Sequence, residues 1–107
     1  MAGKKKITDP LLHARHLGFH RSRCQAKFRG EDWQLTEQDW NAIWTPERWR
    51  RRGRHIDDLC LCLIDEFGAW TTDNVIMLTR HTQLKIKNLK FHNMPYEDLY
   101  LDAEWAP

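Results

Sequence analysis

The sequence contains little of what several enzyme mechanisms require. Ser22 is the only serine and lies in a basic segment, which disfavours a serine nucleophile, and no glycine-rich phosphate-binding loop is present. No apolar run approaches the length of a membrane span, and the opening residues, MAGKKK, lack the apolar run of a signal peptide. These absences predict an intracellular, cytoplasmic protein with no membrane partner.

Cysteine is scarce and odd in number, since the chain has only Cys24, Cys60 and Cys62. Because Cys60 and Cys62 are two residues apart in an apolar run, they would lie on one face of a strand, where they are poorly placed to form a disulfide with each other. The pattern predicts small buried apolar residues in a reducing compartment. A structural zinc site would need a second closely spaced pair of ligands, and the sequence offers only scattered histidines, so no such site is predicted.

Length and composition predict one folded domain with an uneven charge. A chain of 107 residues suffices for a single modest core, and 41% hydrophobic with 11% aromatic residues argues against disorder. Residues 1–54 contain thirteen Lys and Arg against six Asp and Glu, whereas residues 55–107 contain four against nine. The net charge of +2 is therefore the sum of +7 in the first half and −5 in the second, which indicates a basic region and an acidic tail.

The N-terminal half is predicted to be helical. Residues 1–8 form a lysine-rich leader that is expected to be flexible. Thr8 or Asp9 can accept hydrogen bonds from the free amides at the start of a helix, and Pro10 suits its first turn. Gly18 is expected either to end this helix or to interrupt it.

A second helical stretch is predicted over residues 20–29, and Gly30 would end it. Its basic residues favour a solvated helix face over a phosphate-binding face when this segment is taken alone. His13, His16 and His20 recur at i, i+3 and i+7 and so share a face of the helix. Such a face can bind a metal or respond to pH, but no carboxylate stands among these histidines, which favours a partly exposed face.

A helix with a stripe of tryptophans follows. Thr36 can cap it, and Asp39, three residues later, can reach back to complete a capping box. Trp40, Ile43 and Trp44 fall on one face at i, i+3 and i+4. Three large apolar residues on one stripe predict burial in the core in preference to stacking on bases.

The densest charge in the chain follows a third helix start at residues 45–47. Five arginines stand within seven residues, and like charges this close repel one another, which favours either a polyanionic partner or internal acidic pairing. The functional interpretation is a nucleic acid, bound without sequence-specific readout. The alternative is pairing with Asp57, Asp58 or the acidic tail. The predicted phosphate-contacting residues are Arg48, Arg50, Arg51, Arg52 and Arg54.

Residues 59–88 have the pattern of a strand, a loop, a second strand and a helix. Residues 59–64 and 75–78 are short apolar runs suited to buried strands, with turn-forming residues between them. From Arg80 the spacing becomes helical on a basic background. The lysines of this helix, predicted to support phosphate binding, are Lys85, Lys87 and Lys90.

Ten residues of this unit stand at the spacing of a known motif: Leu61, Ile64, Asp65, Gly68, Trp70, Asn74, Val75, Thr79, Gln83 and Asn88. On these residues, the unit resembles the phage-type HNH (ββα-metal) nuclease finger. The resemblance implies a ββα fold and DNA as the partner. It rests on the combined pattern, because no single element of the motif is specific.

The sequence departs from the family pattern where catalysis would take place. In the nucleases the end of the first strand carries an acid and a histidine, because the reaction needs a metal ligand beside a general base for water. Those positions here are Cys62 and Leu63, and a leucine neither binds a metal nor accepts a proton. The resemblance therefore implies the fold without the nuclease activity, and no cofactor is expected.

A surviving activity would need other residues of the finger. Mg²⁺ or Mn²⁺ would have to bind some combination of Asp65, Gln83 and Asn88, with His81 or His55 as the base. Asn74 corresponds to the asparagine of the motif. The structural interpretation of the two Asx residues is favoured over this catalytic one. Asp65 and Asn74 flank a turn, where hydrogen bonds between their side chains and the backbone would explain both residues without a catalytic role.

Residues 93–107 carry four acids and no Lys or Arg, together with five large apolar residues. This is too apolar for a free acidic tail, so the segment is predicted to fold back on the domain as a short helix or an extended strap. Two hypotheses follow for its role. It either covers part of the basic surface or presents an acidic, aromatic surface to a protein partner.

Together these patterns predict a single α+β domain. Helices occupy residues 9–54, the ββα finger residues 55–92, and the acidic, aromatic tail residues 93–107. The predicted function is nucleic-acid binding by an HNH-like phage protein that has lost nuclease activity. The alternatives are an active endonuclease or nickase that depends on a divalent metal, and a regulator or inhibitor that binds a host or phage protein.

Overall fold

The computed structural model describes residues 9–107, which form helices packed on a two-stranded antiparallel sheet. This arrangement confirms the predicted α+β class with a small ββα unit. The predicted leader and a cap at Thr8 lie outside the described residues. No helix within residues 9–107 is both long and apolar enough to cross a membrane. In chain order the elements are α1 (Pro10–Phe28), α2 (Glu37–Ile43), α3 (Pro46–Arg50), β1 (Leu59–Leu63), β2 (Val75–Thr79), α4 (Arg80–Phe91) and a 3₁₀ helix (Glu97–Asp102).

Helix α1 is continuous, so the predicted break at Gly18 is wrong. Asp9 caps the first turn, where its Oδ1 accepts a hydrogen bond from the backbone N of Leu11 at 3.0 Å. Gly18 is buried where α1 passes Trp49, and an added Cβ would overlap the indole ring. The glycine therefore permits a close helix approach without ending the helix. Gly30, with a φ of 75°, follows the end of α1 as predicted.

Side-chain caps start α2 and α3 at the predicted places. Thr36 Oγ1 accepts from the backbone N of Asp39 at 3.1 Å, and Asp39 Oδ2 accepts from the backbone N of Thr36 at 2.9 Å, which confirms the capping box. Thr45 Oγ1 accepts from the backbone N of Arg48 at 3.4 Å at the start of α3. The box makes Glu37 the first residue of α2, one turn before Trp40.

The two strands pair antiparallel along their whole length, and their alternating side chains serve two different cores. Leu59 and Met77 belong to a cluster shared with the N-terminal helices. Cys60 and Cys62 point to the other face and pack with Ile86 of α4. Both thiols are buried and neither forms a disulfide, which confirms their predicted packing role. Cys24 is exposed on α1, so the predicted burial is wrong for that residue.

All six tryptophans of the chain pack in or against the cluster between the N-terminal helices and the sheet. Trp40, Ile43 and Trp44 are at most 2% exposed, which confirms the predicted core stripe. Full burial of a large apolar side chain contributes about 1.5–3 kcal/mol, so this stripe is a principal source of stability. The partly buried members are Trp33, Trp49, Trp70 and Trp105.

The acidic tail folds back on the finger, as predicted. The backbone N of Met77 donates to the carbonyl O of Trp105 at 2.9 Å, and the N of Glu104 donates to the O of Met77 at 2.9 Å. These bonds add a bridge to the edge of β2 that β1 leaves open. Tyr96 and Leu99 pack against the cluster beneath α4. The tail is therefore part of the fold.

Candidate nucleic-acid interface

The five arginines of the predicted run do not share one surface. Arg48 Nη1 donates to the carbonyl O of Ile43 at 3.1 Å, near the end of α2. Arg51 Nη1 forms an ion pair with Glu104 Oε1 at 2.6 Å, so one arginine is paired with the acidic tail. Arg50 is exposed at the end of α3. The run thus divides into arginines that hold the fold and arginines that remain for a partner.

The alternative pairing with Asp57 or Asp58 does not occur. Asp58 Oδ2 accepts a hydrogen bond from the backbone N of His55 at 3.0 Å. No ion pair in the described part of the chain includes either aspartate. Arg52 and Arg54 consequently lack an acidic partner within residues 9–107.

Arg52 lies on an aromatic surface. The residue as a whole is exposed, but its guanidinium is partly desolvated. This desolvation is the main cause that lowers the pKa of Arg52, and the positive charges of Arg80 and Arg21 lower it further. The group stays protonated because the guanidinium is not titrated in proteins. Its Cζ lies 4.6, 5.6 and 5.9 Å from the ring centroids of Trp49, Trp44 and Trp40. Stacking of this kind holds the cation in one place.

A cavity of about 570 Å³, here named the arginine cavity, lies between α1 and the segment that follows α3. Arg80, the first residue of α4, is held at the cavity by a hydrogen bond from its Nε to the carbonyl O of Gly53. No Asp or Glu lines the cavity among the residues that the structure describes. The cations that line it come from α1, from the segment after α3 and from α4: Arg21, Arg52, Arg54 and Arg80.

Two further cavities continue from this one. The connecting cavity, of about 180 Å³, shares Ser22, Gln25, Arg52 and Arg80 with the arginine cavity. The lysine cavity, of about 410 Å³, shares Arg29, Leu61 and Trp70 with the connecting cavity. Because neighbouring cavities share lining residues, the three lie side by side between α1 and the ββα finger. The name "cleft" is used below for these three cavities together.

The lysine cavity carries compensated charge. Arg29 Nη2 pairs with Glu31 Oε1 at 2.7 Å, and this hydrogen bond is the main cause that holds the pKa of Glu31 below its usual value. Glu66 also lines the cavity. Lys87 and Lys90 line it as well, and Lys90 Nζ lies 4.9 Å from the centroid of the Tyr96 ring. Lys85 is exposed and lines none of the three cavities.

Sequence reasoning missed two of the four arginines of the arginine cavity. Arg21 was assigned to a solvated helix face, and Arg80 was treated only as the start of the finger helix. The signal available in the sequence was the cap at Thr79, whose Oγ1 accepts from the backbone N of Thr82 at 3.2 Å and makes Arg80 the first helical residue. No local pattern indicates that Arg21 meets residues more than thirty positions away.

The residues that a surviving nuclease would use are not brought together. Asp65 follows the C-terminal end of β1, whereas His81 follows the C-terminal end of β2, at the opposite end of the hairpin. Five-residue strands rising about 3.3 Å per residue keep them about 15 Å apart along the sheet. Gln83 Oε1 lies 3.4 Å from Cys60 Sγ on the face of the sheet that packs on α4.

Asp65 and Asn74 have the turn-forming roles that the sequence favoured. Asn74 Oδ1 accepts from the backbone N of Asp65 at 2.9 Å, and its Nδ2 donates to the carbonyl O of Asp65 at 3.0 Å and of Ala69 at 2.9 Å. Asp65 Oδ1 accepts from the backbone N of Phe67 at 3.0 Å. Both side chains are thereby committed to the loop between the strands.

The thiols on the inner face of β1 form a hydrogen-bonded pair. Cys60 Sγ and Cys62 Sγ are 3.6 Å apart. The hydrogen bond that Cys62 donates to Cys60, and then burial, raise the pKa of Cys62, so this thiol stays protonated. The same hydrogen bond is the largest influence on Cys60 and lowers its pKa. Desolvation opposes this shift, and the charge of Arg80 adds to it. Of the two positions where the HNH pattern has an acid and a histidine, Cys62 is buried on the face that packs on α4, and Leu63 packs against the cluster on the other face of β1.

Comparisons with known proteins identify no relative: no family model matches the chain, and neither a curated protein nor a solved structure matches it. The class is therefore defined by the structure itself, an α+β fold in which helices pack on a ββα unit.

Proposed function

We propose that the protein binds nucleic acid in the cleft, without cutting it. The observation that carries the proposal is the arginine cavity, where Arg21, Arg52, Arg54 and Arg80 converge with no acidic residue in the described part of its wall. Four like charges in one cavity repel one another, and a polyanion removes that repulsion.

The form of the cleft supports a ligand with phosphates along its length. The arginine cavity lies within the range of about 300–1,000 Å³ that is typical of ligand sites, and cationic residues recur through all three cavities. The cleft thus offers cations along its length, a pattern that favours the acceptor oxygens of phosphate.

Cutting is not part of the proposed function because Asp65 and His81 lie at opposite ends of the hairpin, and the Asp65 side chain is hydrogen-bonded within a turn. The HNH resemblance favours DNA over RNA, and guanidinium contacts with phosphate predict binding without sequence-specific readout. A nucleic-acid partner also agrees with the cytoplasmic location expected from the sequence.

The test is a titration of a short labelled DNA duplex across salt concentrations, in EDTA and then in Mg²⁺ or Mn²⁺. If each of the four arginines of the arginine cavity neutralises one phosphate, a plot of log K for binding against log salt concentration should have a slope of about −3 to −4. The double variant Arg21→Gln/Arg54→Gln should lower the steepness by about two units, since each lost phosphate contact removes about one. Plasmid added with either metal should remain intact.

The matched control is Arg23→Gln/Lys27→Gln, which removes the same charge from exposed positions outside the cleft. Its slope should stay close to that of the unmodified protein. Equal losses in both double variants would mean that net charge alone drives binding, and the cleft would have no special role.

The two rival interpretations have their own outcomes. Plasmid cleavage that disappears in Asp65→Ala or His81→Ala would establish a metal-dependent nuclease. Absence of DNA binding, or binding that ignores salt, would contradict the proposal. Recovery of a protein partner that persists through nuclease treatment and high salt would then establish a regulator.

A further inference from the structure

A second cluster of chemically active side chains lies between α1 and α2, apart from the cleft. His16 Nδ1 is 2.6 Å from Glu37 Oε1, and His20 Nε2 is 3.8 Å from the same oxygen. The three ligand atoms all lie within 4.8 Å of one another. The carboxylate that the histidine face lacks in sequence is therefore supplied by another helix.

Regular structure positions each of the three groups. Because α1 runs unbroken through Gly18, His16 and His20 are one turn apart on the same face. The capping box makes Glu37 the first residue of α2. Between them Phe19 packs on Trp40, with ring centroids 6.1 Å apart, and both rings are buried. The helices, and with them the three ligand atoms, are held in position by the core.

Two imidazoles and one carboxylate form the donor set of zinc sites that keep an open coordination position. With metal–ligand bonds of about 2.0–2.2 Å, the ligand atoms around a tetrahedral ion stand about 3.3–3.5 Å apart. The distances of 2.6 and 3.8 Å from Glu37 Oε1 bracket that separation, so small side-chain rotations suffice. The side chains of His16, His20 and Glu37 are 34%, 50% and 41% exposed, which leaves access for an ion and for water as a fourth ligand.

A hydrogen bond between His16 and Glu37 explains only part of this arrangement. It accounts for the 2.6 Å contact but gives no role to His20. The His20 ring instead stands edge-on to His16, with centroids 4.5 Å apart, and directs Nε2 toward the carboxylate that His16 already contacts. A shared cation accounts for all three groups.

We propose that His16, His20 and Glu37 bind a divalent transition-metal ion of the zinc type. The ion links α1 to α2 and keeps one position for water or an external ligand. Imidazole ligands select Zn²⁺, Co²⁺ or Ni²⁺ over Mg²⁺. The site lies outside the residues that line the cleft, so it does not depend on the proposed nucleic-acid function.

The experiment treats the full chain with EDTA, removes the chelator, and titrates it with Zn²⁺ by calorimetry and with Co²⁺ by visible absorption. The expected result is one equivalent bound, with the intense visible bands of four-coordinate Co²⁺ and a higher melting temperature in Zn²⁺. His20→Gln and Glu37→Gln should each weaken binding at least tenfold and abolish the thermal shift, since each removes a ligand.

The matched controls are His13→Gln and Glu47→Gln, an exposed histidine of α1 and an exposed glutamate of α3. Both should bind as the unmodified chain does. His20→Gln is the decisive variant, because His20 is half exposed and makes no hydrogen bond below 3.5 Å to Glu37, so the fold does not rely on it. If His20→Gln binds Zn²⁺ as tightly as the unmodified chain, or if the unmodified chain binds no Zn²⁺, the proposal is wrong.

Discussion

The two ends of the cleft carry cations in different surroundings. At one end Arg21, Arg52, Arg54 and Arg80 converge without an acid in the described wall. At the other end Arg29 is paired with Glu31, Lys90 rests on an aromatic ring, and Glu66 lines the same cavity. Both ends are basic by residue count, but only the first lacks an acidic residue in the described part of its wall.

This difference shows why a count of Lys and Arg is a poor guide to a binding surface. A cation that already has an acidic partner must exchange one ion pair for another when phosphate arrives, so its net gain is small. A cation crowded by like charges gains from any anion. We therefore expect the arginine cavity to supply most of the affinity.

The largest effect is expected from charge reversal in the arginine cavity. Arg54→Glu removes one phosphate contact and places a carboxylate, which repels phosphate, among the three remaining arginines. A charge-assisted hydrogen bond contributes about 1.5–3 kcal/mol, so affinity for a DNA duplex at low salt should fall about a hundredfold. The measurement is fluorescence anisotropy, with circular dichroism to verify the fold. A loss smaller than that caused by Lys87→Glu would reverse the ranking of the two ends.

Charge reversal at the lysine end should have a smaller effect. Lys87→Glu is expected to weaken the same duplex less than tenfold, because Glu31 and Glu66 already lower the positive potential there. Lys85→Glu is the control, since this exposed lysine of the same helix lines no part of the cleft. A hundredfold loss in Lys87→Glu would show that the phosphates lie along the whole cleft.

Release of Arg51 from the tail should strengthen binding slightly. Glu104→Gln breaks the 2.6 Å ion pair and frees a cation beside the arginine run, so affinity should rise about two- to threefold. A point substitution is preferable to deletion of the tail, because Tyr96 and Trp105 pack against the cores and their loss would destabilise the domain. Asp102→Asn is the matched control. Equal gains in both variants would show that general acidity of the tail, rather than this pair, limits binding.

The smallest effect concerns stability at the lysine end. The hydrogen bond from Arg29 lowers the folded-state pKa of Glu31, so the pair stabilises the fold above the ordinary glutamate pKa and loses that contribution as pH falls through the lowered value. The pair is substantially exposed, and solvent screening limits its contribution to roughly a few tenths of a kcal/mol. Glu31→Gln should therefore unfold slightly more easily at pH 7 in urea titrations, and the difference should shrink as the pH falls through the lowered pKa of Glu31. A difference that persists unchanged at pH 3 would assign the effect to the bond from Trp70 Nε1 to the Glu31 side chain instead.

Local patterns predicted the elements well. Caps at Asp9, Thr36 and Thr45 start the three N-terminal helices, because each depends on a side chain within three residues of the amide it satisfies. The alternation of Leu59 and Cys60 between two cores follows from the period of a strand. The error at Gly18 arose because its reason, contact with Trp49, lies far along the chain.

The candidate sites were predicted less well, for the same physical reason. Arg52 and Arg54 were identified from their density, but that same density included Arg48 and Arg51, which the fold uses for itself. Nothing local to Arg21 indicates that it meets Arg80.

The sequence by itself determined where helices and strands begin, which side chains face inward, and that the first half of the chain is basic, because each depends on neighbours a few residues apart. Tertiary structure alone decided which arginines keep an acidic partner and that Glu37 reaches His16 and His20. Those contacts join residues about twenty to sixty positions apart in the sequence. They depend on how the tryptophan core packs α1 against α2 and the finger.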